Sequence, residues 1–317
     1  MINKNRFRAQ VLIFCIIFII LLICSALYYL PSKNGFMVIN EHPRLMFRNS
    51  EWEGLTIDEL RDRCKDPDYN CSDITNEGIA ADAMRWVIEE DSDIAEVVRL
   101  HLLGDAFTCN DSVEYVNLPG YSLAFDWIYN YENFSEPEKS FVNKKIKDCA
   151  WELNTLLNTE APNLFHGRTQ LTSELMVAAL AQDGDKALFE QAKQKFFDSL
   201  EAWQYLDGAW PEGMNYLRNR MGGSGAMETG MSDALLSFYS ATGFNIFDYI
   251  KYEQGDWLQR IGLFHVFMLR PDGQWSRFGE MPGKRFVSHG EFTRHLELIA
   301  SMYQNSYVQG LVQKFDF

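Results

Sequence analysis

Two kinds of hydrophobic pattern divide this chain. From Val11 to Cys24 apolar residues run without a break, and after Ser25 the run continues from Ala26 to Leu30. This span of 20 residues matches the ~20 that a helix needs to cross a bilayer. Lys4, Arg6 and Arg8 precede it and Pro31 follows. Positive charge on the near side predicts a cytoplasmic tail over 1–9, a transmembrane signal-anchor over 10–30, and a main domain facing the periplasm or the extracellular space. A cleaved signal peptide is the rival reading, but Cys24-Ser25-Ala26 is only a fair cleavage match and the apolar run is long for a signal core.

Residues 31–55 contain Pro31 and Pro43 and read as an extended linker and entry strand. From Thr56 onward the apolar spacing is helical. Ile57, Leu60 and Cys64 fall on one face, and Ala80–Glu90 and Ile94–Gly104 form an antiparallel pair, with Asp93 as an N-cap. Tyr121–Tyr131 is an aromatic helix. Ser135-Glu136-Pro137-Glu138 then supplies a Ser cap, an acidic first turn and an early Pro for a helix reaching Leu157. Thr169–Ala181 and Lys186–Gln204 are a further pair, split by Asp183-Gly184-Asp185; Ser224–Thr242, Trp257–Leu269 and His289–Gln304 complete the series. Short pieces near Trp275 and Phe286 are the extended exceptions. Consecutive helix pairs joined by short turns predict an all-α array, closed as a toroid or open as an arc, over residues 56–317.

Charge and cysteines narrow the setting. The formal net charge is −15, and once Lys4, Arg6 and Arg8 are set aside the remainder places 26 basic residues against 44 acidic ones. Such a surface repels nucleic acid, and an anionic substrate would need a locally basic cleft. Eight Trp, 14 Tyr and 23 Phe fill a large core or line a sugar-stacking cleft. Cys64, Cys71, Cys109 and Cys149 lie beyond the anchor and fit no zinc spacing; Cys64 and Cys71 are close enough for a local staple, with free buried thiols as the alternative.

Four local motifs occur in an informative order. Glu41-His42-Pro43-Arg44-Leu45-Met46-Phe47 resembles the "HPRL" entry strand of heparinase II/III-like and oligoalginate-lyase-like polysaccharide lyases. Leu123-Ala124-Phe125-Asp126-Trp127-Ile128-Tyr129, followed by Phe134-Ser135-Glu136-Pro137-Glu138, resembles their aromatic helix pair. Asp207-Gly208-Ala209-Trp210-Pro211-Glu212-Gly213-Met214-Asn215-Tyr216 is similar to their "PEG" segment, and Met268-Leu269-Arg270-Pro271-Asp272-Gly273 with Arg277-Phe278-Gly279-Glu280 to a later turn. The resemblance implies an incomplete (α/α) toroid followed by a C-terminal β-sandwich. The chain stops at Phe317, so the expectation is a toroid portion alone, truncated, inactive, or completed by a separate β-sandwich partner.

The resemblance also implies β-elimination on an acidic, uronate-containing polysaccharide or oligosaccharide. That reaction needs the uronate carboxylate neutralised, a base for the C5 proton and an acid for the leaving oxygen; it needs no cofactor. Tyr216 stands at the family's Tyr position after the "PEG" turn and is a candidate acid and base, with Arg218 and Arg220 near in sequence to lower its pKa. His166, just before the Thr169 helix, stands where the family places an Asn or His that grips the carboxylate or shares in proton transfer. Arg168 could neutralise that carboxylate through its planar fork. Glu212 could orient His166 or Tyr216, Asn215 could bind a sugar hydroxyl, and Trp210, Tyr239 and Trp275 could stack on sugars, although each ring also suits a core.

Other chemistries fare less well. Gly222-Gly223-Ser224-Gly225 lacks the Lys-Ser/Thr and preceding strand of a phosphate loop. His289 and His295 fit no metal spacing, and His265 sits in an apolar helix as a core imidazole. A glycoside hydrolase would need two opposed carboxylates; Glu212 with Asp207 or Glu228 are the tempting pairs. A non-catalytic glycan-binding toroid is the third reading.

Overall fold

Two helices of this chain are buried on every side, and the rest of the architecture follows from how they are flanked. The computed structural model describes residues 37–66, 71, 78–105, 107–109, 117–159, 166–211, 217, 221, 230–270 and 294–315. The chain divides into a unit of residues 1–37 and a unit of residues 38–317; the second carries the fold, which is all-α. Its described residues form twelve helices: α1 (Ile57–Cys64), α2 (Ile79–Glu89), α3 (Ser92–Leu103), α4 (Asn117–Trp127), α5 (Glu136–Leu156), α6 (His166–Ala181), α7 (Lys186–Trp203), α8 (Met231–Thr242), α9 (Ile246–Glu253), α10 (Trp257–Met268), α11 (Arg294–Tyr303) and α12 (Ser306–Phe315).

Helix ends follow local chemistry. Thr56 and Glu59 form a reciprocal capping box at α1. The backbone N–H and hydroxyl of Ser135 both donate to Glu138, at 2.9 and 2.8 Å, and start α5 as the sequence predicts. Helix α3 is capped by Asp91, which accepts from the Asp93 N–H at 2.9 Å, so the cap lies two residues before the predicted Asp93. Asp185 accepts from the Leu188 N–H at 2.9 Å and starts α7. Helix α8 ends on Gly243, whose φ of 71° lies in the left-handed region that glycine reaches without strain. Helices α9 and α12 were not predicted.

The helices form two rows. Helices α2, α4, α6 and α8 pack side by side in one row, and α3, α5 and α7 lie behind them, each packed against a first-row helix of its own pair. Every residue of α4, and every residue of α6 from Thr169 to Ala181, is buried. A helix without a polar face is an interior helix, whereas α5 and α7 turn charged residues outward. Beyond α8 the chain continues through α9 to α10, which packs on α11 and α12. At Gly262 a Cβ would sit 2.8 Å from Val308 and 3.0 Å from Ile299, so glycine sets how closely α10 approaches α11 and α12.

The segment expected to be a linker and entry strand is woven into this core instead. Its one pairing is an isolated bridge between Arg48 and Thr56, and no strand occurs among the described residues. Leu45 and Phe47 are buried. Asp126, at the end of α4 and fully buried, accepts from His42 Nδ1 at 2.6 Å and from the backbone N–H groups of Arg44 and Leu45 at 2.9 Å each. The Arg44 guanidinium caps α6: Nε donates to the Leu180 carbonyl at 2.8 Å, and Nη2 to Ala181 at 3.0 Å, Gln182 at 3.1 Å and the Asp183 carboxylate at 2.9 Å. These are the carbonyls that a helix C-terminus leaves unpaired, and a cation there also meets the negative end of the dipole. At the end of α8, the Ser240 hydroxyl donates to the Arg44 carbonyl at 2.7 Å and accepts from the Met46 N–H at 2.8 Å, while Arg48 donates to the Ser240 carbonyl. One short segment thus meets the C-termini of α4, α6 and α8, so those three helices run parallel.

Two disulfides add to this frame. Cys64–Cys71 is the local staple expected from spacing; Cys109–Cys149 ties the residues ahead of α4 to α5 across 40 positions.

The expected single-pass membrane topology is corrected. No helix among the described residues is long and apolar enough to cross a membrane. Helix α5, with 21 residues, has the length but carries charges from Glu136 to Glu152, and the interior helix α6 has only 16 residues against the ~20 required. The predicted anchor over 10–30 lies outside the described residues.

The clamp that the His42–Arg48 segment forms on the C-termini of α4, α6 and α8 sets two expectations. Replacing Asp126 by Ala leaves His42 and two N–H groups buried without their acceptor, so urea unfolding should show a loss of about 3–5 kcal/mol. The second concerns pH. Burial pushes the His42 imidazole down, but its hydrogen bonds to Asp126 and Asp183 outweigh this and raise it above its ordinary 6.5. Burial pushes the Asp183 carboxyl up, but the His42 hydrogen bond and the Arg44 charge hold it well below the usual carboxylate range. The imidazole contribution is complete below 6.5 and is lost as pH rises through the raised value; that of Asp183 is complete above its ordinary 3.8 and is lost on acidification. The urea midpoint should therefore plateau between those limits, and His42→Ala should flatten the alkaline fall.

Candidate functional site

Since α4, α6 and α8 share their C-terminal end at the clamp, their N-termini gather at the opposite end. Polar side chains are concentrated toward that end. In α6, Thr169, Gln170, Thr172, Ser173 and Glu174 are buried in succession around Leu171, before the apolar stretch from Leu175 to Ala181. Helix α8 contributes buried Ser232 and Asp233, with buried Ser237 in its half nearer the clamp, and α4 contributes Asn117 at its start and Ser122 at its middle. Several of these groups satisfy the helix itself: the Thr172 and Ser173 hydroxyls donate to the Thr169 carbonyl at 3.0 and 2.9 Å, and Asp233 accepts from the Gly230 N–H at 3.2 Å. The hydroxyls of Thr169, Ser232 and Ser237 are buried without a hydrogen-bond partner among the described residues.

The electrostatics of this end follow from helix direction. Each helix N-terminus carries roughly half a positive charge on unpaired N–H groups. Three parallel helices place those partial charges at one end of the inner row, and the C-terminus of α5, whose Leu157 carbonyl accepts from Arg168, lies at the same end and offsets part of them.

The predicted site residues fall into three groups. Glu212, Asn215 and Tyr216 lie outside the described residues, as does Trp275. His166 is the first residue of α6 and so stands at the polar end. Arg168 follows it, half-buried, with Nη1 donating to the Leu157 carbonyl at 2.9 Å. Its charge reaches Lys195 of α7, whose ammonium is pushed down by burial first and by Arg168 second. Arg168 therefore ties α6 to the C-terminal end of α5, while its charge repels that of Lys195.

Two proposed sugar platforms are core residues. Trp210 is fully buried and stacks on Trp203 at 4.5 Å, and Trp203 stacks in turn on Trp257 at 5.5 Å. Tyr239, only 5% exposed, donates its hydroxyl to Glu53 at 2.6 Å and meets the edge of Trp52 at 5.0 Å; it also lies in the half of α8 nearer the clamp. A ring packed in this way offers no free face to a sugar. The turn before Trp210 is equally committed. Asp207 and Gly208 have φ of 48° and 86°, an added Cβ at Gly208 would lie 2.4 Å from the Arg260 carbonyl oxygen, and Asp207 pairs with Arg260 at 2.6 Å. That ion pair takes up one carboxylate that a hydrolase reading would use.

Among the described residues no group of three or more metal-ligating side chains converges. His265 is the core imidazole expected: Nδ1 hydrogen-bonds the Ile261 carbonyl at 2.8 Å, Nε2 meets His295 Nε2 at 3.4 Å, and complete burial pushes its pKa down to about 4. No family model matches the chain, and no curated protein matches it.

The sequence reading missed Gln170, Glu174, Ser232, Asp233 and Ser237. Their signal is the failure of α6 and α8 to alternate polar and apolar faces; polar residues scattered around an interior helix need a reason other than solvent. Since Trp210 fills the space between Trp203 and neighbouring core, Trp210→Ala should cost about 3–5 kcal/mol in urea unfolding and weaken the near-ultraviolet circular dichroism of the stacked indoles.

Proposed function

We propose that this chain cleaves a uronic-acid-containing polysaccharide by β-elimination, on an incomplete (α/α) toroid resembling that of heparinase II/III-like lyases. The observation that carries the reading is the place of His166. It opens the interior helix α6 at the end where the N-termini of α4, α6 and α8 gather, with the buried polar groups of α6 directly behind it. The two-row packing of helix pairs supports an arc of such a toroid, and the 39–48 segment seals the C-terminal end of its inner row.

The chemistry uses this polarity. The uronate carboxylate binds at the helix N-termini, where N–H groups and partial positive charge stabilise the negative charge that grows as the C5 proton leaves. His166 grips the sugar unit and shares in the proton transfer. Tyr216 serves as the acid that protonates the leaving oxygen, and as base where geometry allows. Glu212 and Asn215 orient these groups and the sugar hydroxyls. Reaction by elimination requires no cofactor, and acidic oligosaccharides suffice as substrates.

The test is a product assay. Folded protein incubated with alginate, polygalacturonate, hyaluronan or heparan sulfate should generate the near-ultraviolet absorbance of a new carbon–carbon double bond from at least one polymer. Tyr216→Phe and His166→Ala should each lower kcat by about 10²–10⁴, the share a positioned acid or base contributes. Reducing ends released without that absorbance would assign a hydrolase instead. Binding without any product would assign a glycan-binding domain.

A further inference from the structure

Two arginines of the clamp each close a helix C-terminus, but their donors are not equally used. Arg44 Nη2 has three acceptors at the end of α6, one of them the carboxylate of Asp183, two residues past the helix, at 2.9 Å. Arg48 closes α8 in the same manner, with Nε donating to the Ser240 carbonyl. Its Nη2, however, is buried without a hydrogen-bond partner among the described residues, and the residue is only 9% exposed. A buried donor on a cation is costly to leave unpaired. The difference lies in the turn after each helix. Helix α6 runs on to Asp183, whereas α8 ends on the exposed Gly243. A Cβ at Gly243 would stand 3.6 Å from Arg48 Nη2 and, among the described residues beyond its chain neighbours, within 4 Å of no other atom. Where Arg44 meets a carboxylate, Arg48 therefore meets open space.

We propose that Arg48 anchors a carboxylate-binding site at the clamp end, entered beside Gly243 and roofed by Trp52. A small carboxylic acid, or the uronate of an acidic sugar, completes Arg48 there as Asp183 completes Arg44. The planar guanidinium offers Nη2 to a carboxylate oxygen, and the low dielectric around a buried cation strengthens the contact. Acids of the chain nearby are engaged elsewhere: Glu41 accepts from the Ser50 hydroxyl at 2.7 Å, and Glu53 from the Tyr239 hydroxyl at 2.6 Å. The Trp52 ring lies over the guanidinium, its centroid 4.9 Å from Cζ, which covers the face of the fork and leaves its edge for a ligand. Trp52 is half-buried and folds back over Gly54, where a Cβ would lie 2.3 Å from the ring. Since Nη2 is buried with the loop in this position, entry moves Trp52 or the Gly243 turn. This end of the inner row is opposite to His166, so the site stands apart from the elimination reading.

The experiment titrates the full-length protein with sodium acetate, sodium galacturonate or sodium phosphate, each against sodium chloride of equal ionic strength. Acetate or galacturonate should change the tryptophan fluorescence saturably and raise the urea midpoint, because a ligand held only by the folded state stabilises it. A stronger response to galacturonate assigns a sugar acid, and an equal one assigns the carboxylate alone. Arg48→Lys keeps the charge, loses the fork and should weaken binding by about tenfold. Gly243→Asp tethers a carboxylate beside Nη2 and should abolish the response; it serves as the second route if Arg48→Lys does not fold. Gly243→Asn carries the same left-handed backbone without the charge. The Asp variant should have the higher urea midpoint of the two at neutral pH, and the difference should shrink as pH falls below about 4 and the carboxylate is protonated. No saturable response to either acid, a response to phosphate alone, or a response that survives Gly243→Asp overturns the inference, whatever the product assay shows.

Discussion

The fold of this chain depends on one buried carboxylate. Asp126 at the end of α4 gathers an imidazole and two backbone N–H groups from a segment more than 80 residues earlier. That segment then delivers Arg44 to the open carbonyls of α6 and its own backbone to Ser240 of α8. Three helices that would each end in unpaired carbonyls are closed by one irregular stretch of chain. The cost of burying charge is met because almost every polar atom in the cluster has a partner at hydrogen-bonding distance, the condition under which buried ionic groups are tolerated. The arrangement also defines direction, for helices closed by the same segment at their C-termini must start together at the other end.

Direction is what turns a helical array into a site. Helix dipoles cancel in antiparallel packing and reinforce in parallel packing. The inner row here is parallel because each return path runs through the outer row, so its N-termini share one end with the C-terminal carbonyls of the outer row, one of which Arg168 satisfies. Buried hydroxyls, an amide and carboxylates lie toward the same end of α6 and α8, where a purely structural helix would carry Leu, Ala or Val. Polar groups inside a domain reduce stability unless they are paired. The clamp end has charge as well, but there the groups are spent on one another: both nitrogens of His42 face carboxylates, and the Arg44 donors are distributed over carbonyls and Asp183.

Much of the secondary structure was legible because it is local. The Ser135–Glu138 box, the Asp183–Asp185 break and the Cys64–Cys71 staple depend on residues within a few positions of one another, and the helices from α2 to α7 stand close to where the apolar spacing puts them, except that α4 covers Asn117–Trp127 rather than the predicted Tyr121–Tyr131. The site was less legible. His166 could be singled out from its neighbours in the chain, but Trp210 and Tyr239 suited a core more readily than a sugar platform without the sequence deciding it, and it is packing with Trp203 and Glu53 that makes them core. The His42–Arg44 stretch looked like a strand because extended, proline-containing segments usually pair; here its hydrogen bonds go to helix ends instead.

Periodicity, capping residues and turn glycines therefore determined that this is an all-α chain built from consecutive helix pairs, since a helix needs only its own residues to declare where it starts, which face is apolar and where it stops. The tertiary structure decided which helices are interior, which of their ends is sealed and which polar residues are trapped between them. Those outcomes depend on contacts between residues 80 to 200 positions apart, as between Arg44 and Asp126, Leu180 or Ser240, and no local pattern specifies which of many distant carbonyls a buried guanidinium will reach.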